Sequence, residues 1–276
     1  MVARDPHRFV NELDEVAIER LISRLESRAK DKVFTSLFDK YASRLTLPPS
    51  AQVLEVGCGT GAMLRFFASR SGFSGKAIGV DQSLPFIEAA SKFAQLENVS
   101  NKIDFQVGDA HRLDFPPASF DVVIANTLIS HVTQPTTVLE EMARVVRPGG
   151  TVAIFDGDYA SLTYAMPDHD FGHKMDVALA KASFNNPRIM RDLPRLLQEF
   201  GLEMIDAWGD AIVEIGKGSY FKSFAETYAP YVSSAGLLSE DAVNSWLTVQ
   251  RQAMEKEHFL HLVPITPICY IEFKLV

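Results

Sequence analysis

Val53-Leu54-Glu55-Val56-Gly57-Cys58-Gly59-Thr60-Gly61 decides the fold of this 276-residue chain. Three apolar residues, Val53, Leu54 and Val56, give way to glycines at 57, 59 and 61, and a helical pattern begins at Met63. The stretch reads as strand, tight turn and helix, with almost no side chains at the turn. Such a turn lets a ligand approach the backbone closely and offers helix-end amides to it. Three glycines cost backbone entropy without an obvious packing return, so a turn that binds nothing is the poorer explanation. A nucleotide-like cofactor is expected there.

Downstream of the turn, strands and helices alternate. Strands are predicted over 76–80, ending at Asp81, and over 103–107, ending at Gly108-Asp109. Two more run over 121–125, ending at Asn126, and 151–155, ending at Asp156. Helices are predicted over 62–69, 85–96 and 136–146, the last closed by Arg147-Pro148-Gly149-Gly150. Five strands separated by helices argue for a parallel sheet covered on both faces. In open sheets of this kind ligands sit beyond the carboxyl ends of the strands, where Glu55, Asp81, Asp109, Asn126 and Asp156 gather.

Upstream, 11–30 and 33–45 carry apolar residues at spacings of three and four and read as two amphipathic helices. Pro48-Pro49 marks a boundary after them. Beyond Asp156 the alternation stops. Residues 157–187 are rich in Asp, His and aromatics. A helix is predicted over 189–200, a strand over 202–215, helices over 221–233 and 240–257, and a last strand over 265–275.

Composition narrows the function. Apolar residues make up 47% of the chain, and 27 Lys and Arg against 35 Asp and Glu give a net charge of −8. That balance argues against nucleic acid or an anionic membrane as partner. Cys58 and Cys269 have no metal spacing and suggest no disulfide framework. No signal peptide or membrane span is visible, so a cytoplasmic setting is expected.

A carboxylate at Asp81, 20 residues past Gly61, suits the ribose hydroxyls of an adenosine, which NAD and S-adenosylmethionine both carry. The same residue suits a helix N-cap for the run near Pro85. Asp109 suits an adenine amine, or a plain turn.

Glu55 to Gly61, Asp81, Gly108-Asp109-Ala110, the run 120–126 and Arg147 to Gly150, in this order and spacing, resemble the class I S-adenosylmethionine-dependent methyltransferases. The nearer resemblance is to the small-molecule branch that includes the ubiquinone and menaquinone methyltransferases. It implies an α/β fold: a Rossmann-like, seven-stranded, mostly parallel sheet with its last strand antiparallel, helices on both faces and a helical cap. The expected division is a cap over 1–48 and a methyltransferase domain over 49–276, with a cap insertion at about 157–200. The resemblance implies that Gly57, Cys58, Gly59 and Gly61 lie under the methionine part of the cofactor. Glu55 would reach toward its amino group, Asp81 with Gln82 would hold the ribose, Asp109 and Ala110 would frame the adenine, and Asn126 would line the sulfonium end.

A base is expected at His131, five residues past Asn126, as a catalytic or acceptor-contacting group. Asp156, Asp158 and Tyr159 are expected to face the acceptor. Asp168-His169-Asp170 with His173 is read as pocket lining or solvated surface, and no metal is expected. Arg188, Arg191 and Arg195 read as a charged helix face pairing with acids.

The expected function is methyl transfer from S-adenosylmethionine to a small-molecule acceptor, by a monomer or homodimer. The competing readings are a protein that binds the cofactor without transferring methyl, cyclase-like or regulatory, and an NAD-dependent oxidoreductase. The Gly57-x-Gly59-x-Gly61 spacing speaks against the latter.

Overall fold

The alternation takes shape in the computed structural model, which describes residues 7, 9–45, 47–70, 72–216, 218, 220–256, 259–261 and 268–275. Residues 1–6, 8 and 46 of the expected cap, 257 of the expected helix over 240–257, and 265–267 of the expected last strand lie outside the described residues.

Two helices open the chain, α1 (Glu15–Lys30) and α2 (Lys32–Arg44). Each is started by an aspartate that accepts an orphan amide: Asp14 from Ala17 at 2.8 Å and Asp31 from Val33 at 2.9 Å. The alternating region follows as β1 (Gln52–Val56), α3 (Ala62–Ser69), β2 (Lys76–Asp81), α4 (Leu84–Leu96), β3 (Ile103–Val107), β4 (Phe120–Asn126), α5 (Pro135–Val145) and β5 (Val146–Gly157). Then come α6 (His169–Ser183), α7 (Ile189–Gln198), β6 (Leu202–Asp210), β7 (Glu214–Gly216), α8 (Tyr220–Ser234), α9 (Glu240–Glu255), β8 (Phe259–His261) and β9 (Ile268–Leu275).

Seven strands form one sheet in the order β3-β2-β1-β4-β5-β9-β6. β1 to β5 pair in parallel, while β9 runs antiparallel to both β5 and β6. The fold class is therefore the expected one. Alternate residues of each central strand face opposite cores, which is why these strands read as unbroken apolar runs. Val53, Val122, Ile124 and Phe155 join α2, α3, α6, α8 and α9 on one side. Leu54, Val56, Val123 and Ile154 join α5 and α7 on the other. The strand order reverses between β1 and β4, and that switch point opens a crevice beyond their carboxyl ends.

Three expectations change. Arg147-Pro148-Gly149-Gly150 lies within β5 rather than closing α5. The ladder jumps from Phe120↔Val146 to Val122↔Thr151, so the intervening residues bulge out of it. The strand expected over 202–215 is split: β6 leaves the main sheet at Asp210, and β7 pairs with β8 in a separate two-stranded sheet. The cap insertion is redistributed. α7 packs on the sheet through Ile189, Met190, Leu193 and Leu197. α8 and α9 instead pack with α6.

At the start of α6, Asp168 accepts from the Phe171 amide at 3.0 Å, and His169, Asp170 and His173 are exposed. Replacing Asp168 by alanine is therefore expected to cost about 1 kcal/mol of stability, the usual value of an N-cap. Chemical denaturation measures it; a melting point lowered by a chelator in the wild type would point to metal instead. Arg191 and Arg195 pair with Asp158 and Glu199, as a charged face does. No helix among the described residues is long and apolar enough to cross a membrane.

Candidate functional site

The crevice at the switch point is a cavity of about 480 Å³, within the range of about 300–1,000 Å³ usual for small-molecule and cofactor sites. The glycine turn forms its floor. Gly57, Gly59 and Gly61 all have positive φ, which makes this turn one for glycine. Their surroundings differ. Among the described residues a Cβ at Gly59 meets only Leu25 of α1, at 3.4 Å, so this glycine is open to the cavity. A Cβ at Gly61 would lie 2.5 Å from the Phe105 ring. Gly61 does not line the cavity; it lets α3 pack against β3. Cys58 lines the cavity as a buried thiol, its pKa pushed well above the ordinary value by burial.

Above the turn, Glu55 and Asn126 end the neighbouring strands β1 and β4. Asn126 Nδ2 donates to Glu55 Oε1 at 2.6 Å. Among the described residues, no hydrogen-bond partner meets Glu55 Oε2 or Asn126 Oδ1, both buried. Burial pushes the Glu55 carboxyl up to about 8, against the opposing hydrogen bonds from Asn126 and the Leu64 amide. A ligand donor that reaches both oxygens takes the place of the proton that burial keeps on Glu55 at neutral pH.

Asp81 ends β2, Gln82 follows it, and both line the cavity. Asp81 accepts from the Gly59 amide at 2.8 Å and the Ser83 amide at 3.0 Å. Burial nonetheless raises its pKa. Its carboxylate thus ties the turn to β2 and keeps free lone pairs for a ligand. Ser83, not Asp81, caps α4 by accepting from Phe86. Gln82 donates to the carbonyl of His7, and its own carbonyl accepts from Asn11, which straps the segment before α1 across the mouth. Asp109 and Ala110 line the far end. Burial works to raise Asp109, but the amide and ring of His111 outweigh it and hold the acid below its ordinary value.

The loop after β4 carries His131, buried in the cavity wall beside His7 and Phe184, each ring 5.0 Å away. This loop is held from several sides. Asp156 accepts from the amide and hydroxyl of Ser130, both at 2.9 Å, and from the Gly157 amide. Asn186 donates to the carbonyls of Ile129 and Val132, and Asn185 to that of His131. Thr127 sits at φ +52°, a strained setting for a β-branched residue, at the cavity's edge.

Of the residues expected to face the acceptor, Tyr159 lines the cavity, stacked on Phe184 with ring centroids 3.5 Å apart. Asp156 and Asp158 stay outside the cavity lining. Asp156 braces the His131 loop, and Asp158 pairs with Arg191 at 2.5 Å and accepts from Ser161. Sequence reasoning passed over two groups that shape the site. Tyr220, Phe224 and Tyr228 of α8 complete an aromatic end of the cavity, and Arg24 and Arg28 of α1 reach into it. Both carry a signal: the rings recur every four residues, and the arginines share one helix face with Leu21 and Leu25.

Residues 54–154 match the family described as a methyltransferase domain. The chain is 32% identical over 131 residues to the 27-O-demethylrifamycin SV methyltransferase of Amycolatopsis mediterranei (strain S699), which covers 48% of this chain and 47% of that protein. It is 31% identical over 117 residues to the demethylmenaquinone methyltransferase of Lactobacillus johnsonii, covering 42% and 48%. The chain spans about half the length of the curated relatives it matches. Its fold is similar to that of geranyl diphosphate methyltransferase solved in complex with S-adenosylmethionine, with a TM-score of 0.54, 15% identity, and coverage of 95% of this chain and 92% of that one.

Proposed function

We propose that this chain, built on a class I S-adenosylmethionine-dependent methyltransferase domain, transfers a methyl group from that cofactor to a small organic acceptor bound at the aromatic end of the cavity. One observation carries the reading. A single cavity joins a glycine floor with two buried oxygens, Glu55 Oε2 and Asn126 Oδ1, that have no hydrogen-bond partner among the described residues, to a wall of aromatic rings. The first end suits an amino-acid ammonium, and the second an apolar acceptor.

The residues present fit the cofactor. Glu55 and Asn126 would accept from its ammonium, Asp81 with Gln82 from its ribose, and Asp109 and Ala110 would frame its adenine. When bound, S-adenosylmethionine supplies a methyl carbon activated by its positive sulfur. The chain's contribution is then positioning and, where the acceptor carries a proton, its removal. His131 is proposed as that base or acceptor contact. Asp156, Asn185 and Asn186 hold its loop and set its direction. α1, α2, α6, α8 and α9 are proposed as the cap that shields this end from water, and the cytoplasm as the place of work.

Replacing His131 by alanine is expected to lower turnover on the order of 10²-fold, with affinity for S-adenosylhomocysteine changed far less. Steady-state kinetics beside calorimetry separates the two effects; unchanged turnover removes His131 from the mechanism. The function itself is tested by following label from methyl-labelled S-adenosylmethionine into a panel of small aromatic and isoprenoid acceptors. Tight binding of NADH with no response to S-adenosylmethionine would sink the reading. Cofactor binding without transfer across the panel would replace it with a non-transferring role.

A further inference from the structure

Two guanidinium groups stand in the cavity with no acid answering them among the described residues. Arg24 and Arg28 lie one turn apart on α1, and both are half-buried. Arg24 sits over the Tyr228 ring at 4.6 Å and near Phe224 at 6.0 Å. Arg28 sits over the Phe34 ring at 4.4 Å and donates from Nη2 to Thr127 Oγ1 at 3.0 Å. Arg24 Nη1 and Arg28 Nε are buried and make no hydrogen bond among the described residues. Neither arginine has an ion pair among the described residues, although other arginines do: Arg65 with Glu26, Arg144 with Glu141 and Arg191 with Asp158. Asp156, the acid in the electrostatic reach of Arg28, is engaged by Ser130 and Gly157. Glu12 lines the cavity as an exposed residue and pairs with neither.

A chain with 35 acids and a net charge of −8 leaves two cations at one place in this cavity without an ion pair among the described residues. Cations removed from water without a counter-charge are costly, so a partner from outside the chain restores the balance. A guanidinium also presents a rigid planar fork, which matches a carboxylate or phosphate by two parallel hydrogen bonds. The rings beneath Arg24 and Arg28 hold those forks in place.

We propose that Arg24 and Arg28 bind an anionic group, a carboxylate or phosphate, on the acceptor, whose apolar body lies against Tyr159, Phe184, Tyr220 and Phe224. The acceptor is thus an aromatic or conjugated acid rather than a neutral molecule. This rests on the reading of the cavity as a cofactor-and-acceptor site. The position of the two cations favours the acceptor as the source of the anion. Three of the four partners that hold them are rings at the aromatic end, Phe34, Phe224 and Tyr228, with Phe34 packed 4.8 Å from Tyr220; the fourth, Thr127, directly follows Asn126.

The test uses the full chain saturated with S-adenosylhomocysteine, titrated with 2-naphthoate and with its neutral counterpart 2-naphthamide. The wild type is expected to bind the acid at least about tenfold more tightly. That preference is expected to vanish in Arg24→Gln and Arg28→Gln and to return in part in Arg24→Lys and Arg28→Lys, which restore the charge without the fork. Melting curves establish that each variant is folded. The cofactor's own carboxylate is the competing source of the anion. Comparing S-adenosylhomocysteine with 5′-methylthioadenosine, which lacks the amino-acid part, isolates it. An affinity ratio between these two that is the same in wild type and variants assigns the arginines to the acceptor. A ratio that collapses in the variants while the acid preference survives assigns them to the cofactor and overturns the proposal. Equal binding of acid and amide by the wild type also overturns it. If S-adenosylhomocysteine itself fails to bind, the methyl-transfer reading falls, and the naphthoate comparison decides the anion site on the free protein.

Discussion

Purified Gly59→Val protein is expected to fold and to lose measurable affinity for S-adenosylhomocysteine. Among the described residues the new Cβ meets only Leu25, at 3.4 Å, so the backbone and its neighbours leave room for it. The rest of the side chain then stands where the cofactor is proposed to lie on the turn. Gly59 has φ +52°, so a β-branched residue there brings strain of about 1–3 kcal/mol. At roughly 2–4 °C per kcal/mol for a domain of this size, the melting point falls by several degrees. Gly61→Val is the contrasting variant. Its Cβ would lie 2.5 Å from the Phe105 ring and 3.3 Å from Ala90, inside packed core. Overpacking there typically costs about 1–3 kcal/mol, added to the same backbone strain. Scanning calorimetry is expected to separate the pair, with Gly61→Val losing the fold first and Gly59→Val losing the ligand first. Normal binding by Gly59→Val would take the cofactor off the turn.

These two glycines also show what sequence reveals and what it withholds. Their spacing announces a strand, a turn and a helix, and β1 and α3 lie where expected because period and breaker residues are local signals. That one glycine faces a ligand and the other a phenylalanine depends on β3, more than forty residues away. The same limit explains α7 and α8. Both show an apolar face, and periodicity reports that a face exists without saying what covers it. α7 is covered by the sheet and α8 by α6 and α9, with its rings turned to the cavity. Asp156 misled for a related reason. A strand-end acid beside a site suggests ligand contact, but the hydroxyl and amide of Ser130 reach it first. Arg24 and Arg28 were legible in principle, as charges placed on an apolar stripe where a solvated face would not put them.

Raising the pH from about 5 to about 8 is expected to weaken the ligand-free fold while strengthening its hold on the cofactor. Both effects come from Glu55, which is 2% exposed and has its pKa raised from 4.5 to about 8, chiefly by burial. In that window the folded chain keeps a proton that the unfolded chain has released. The folded state therefore binds more protons, and stability declines as pH rises. The contribution is whole below 4.5 and lost above about 8. Each pH unit inside the window is worth at most about 1.4 kcal/mol, and the full window on the order of 5 kcal/mol. Asp81 and Asp156, also raised by burial, act with the same sign above the ordinary aspartate range. Glu55→Gln removes the titration of this one group and can keep the Asn126 contact as an amide pair, so the difference between its curve and the wild type's belongs to Glu55. An ammonium placed at Glu55 Oε2 favours the ionised carboxylate, so cofactor binding must expel the proton. At pH 7, calorimetry in buffers of different ionisation enthalpy is expected to find close to one proton released by the wild type and much less by Glu55→Gln. Affinity is expected to rise by up to tenfold per unit between about pH 6 and 8, until the cofactor's own amine begins to lose its charge. A wild type that binds at pH 7 without releasing a proton would remove the ammonium from Glu55 and, with it, the orientation of the methyl group toward the aromatic end.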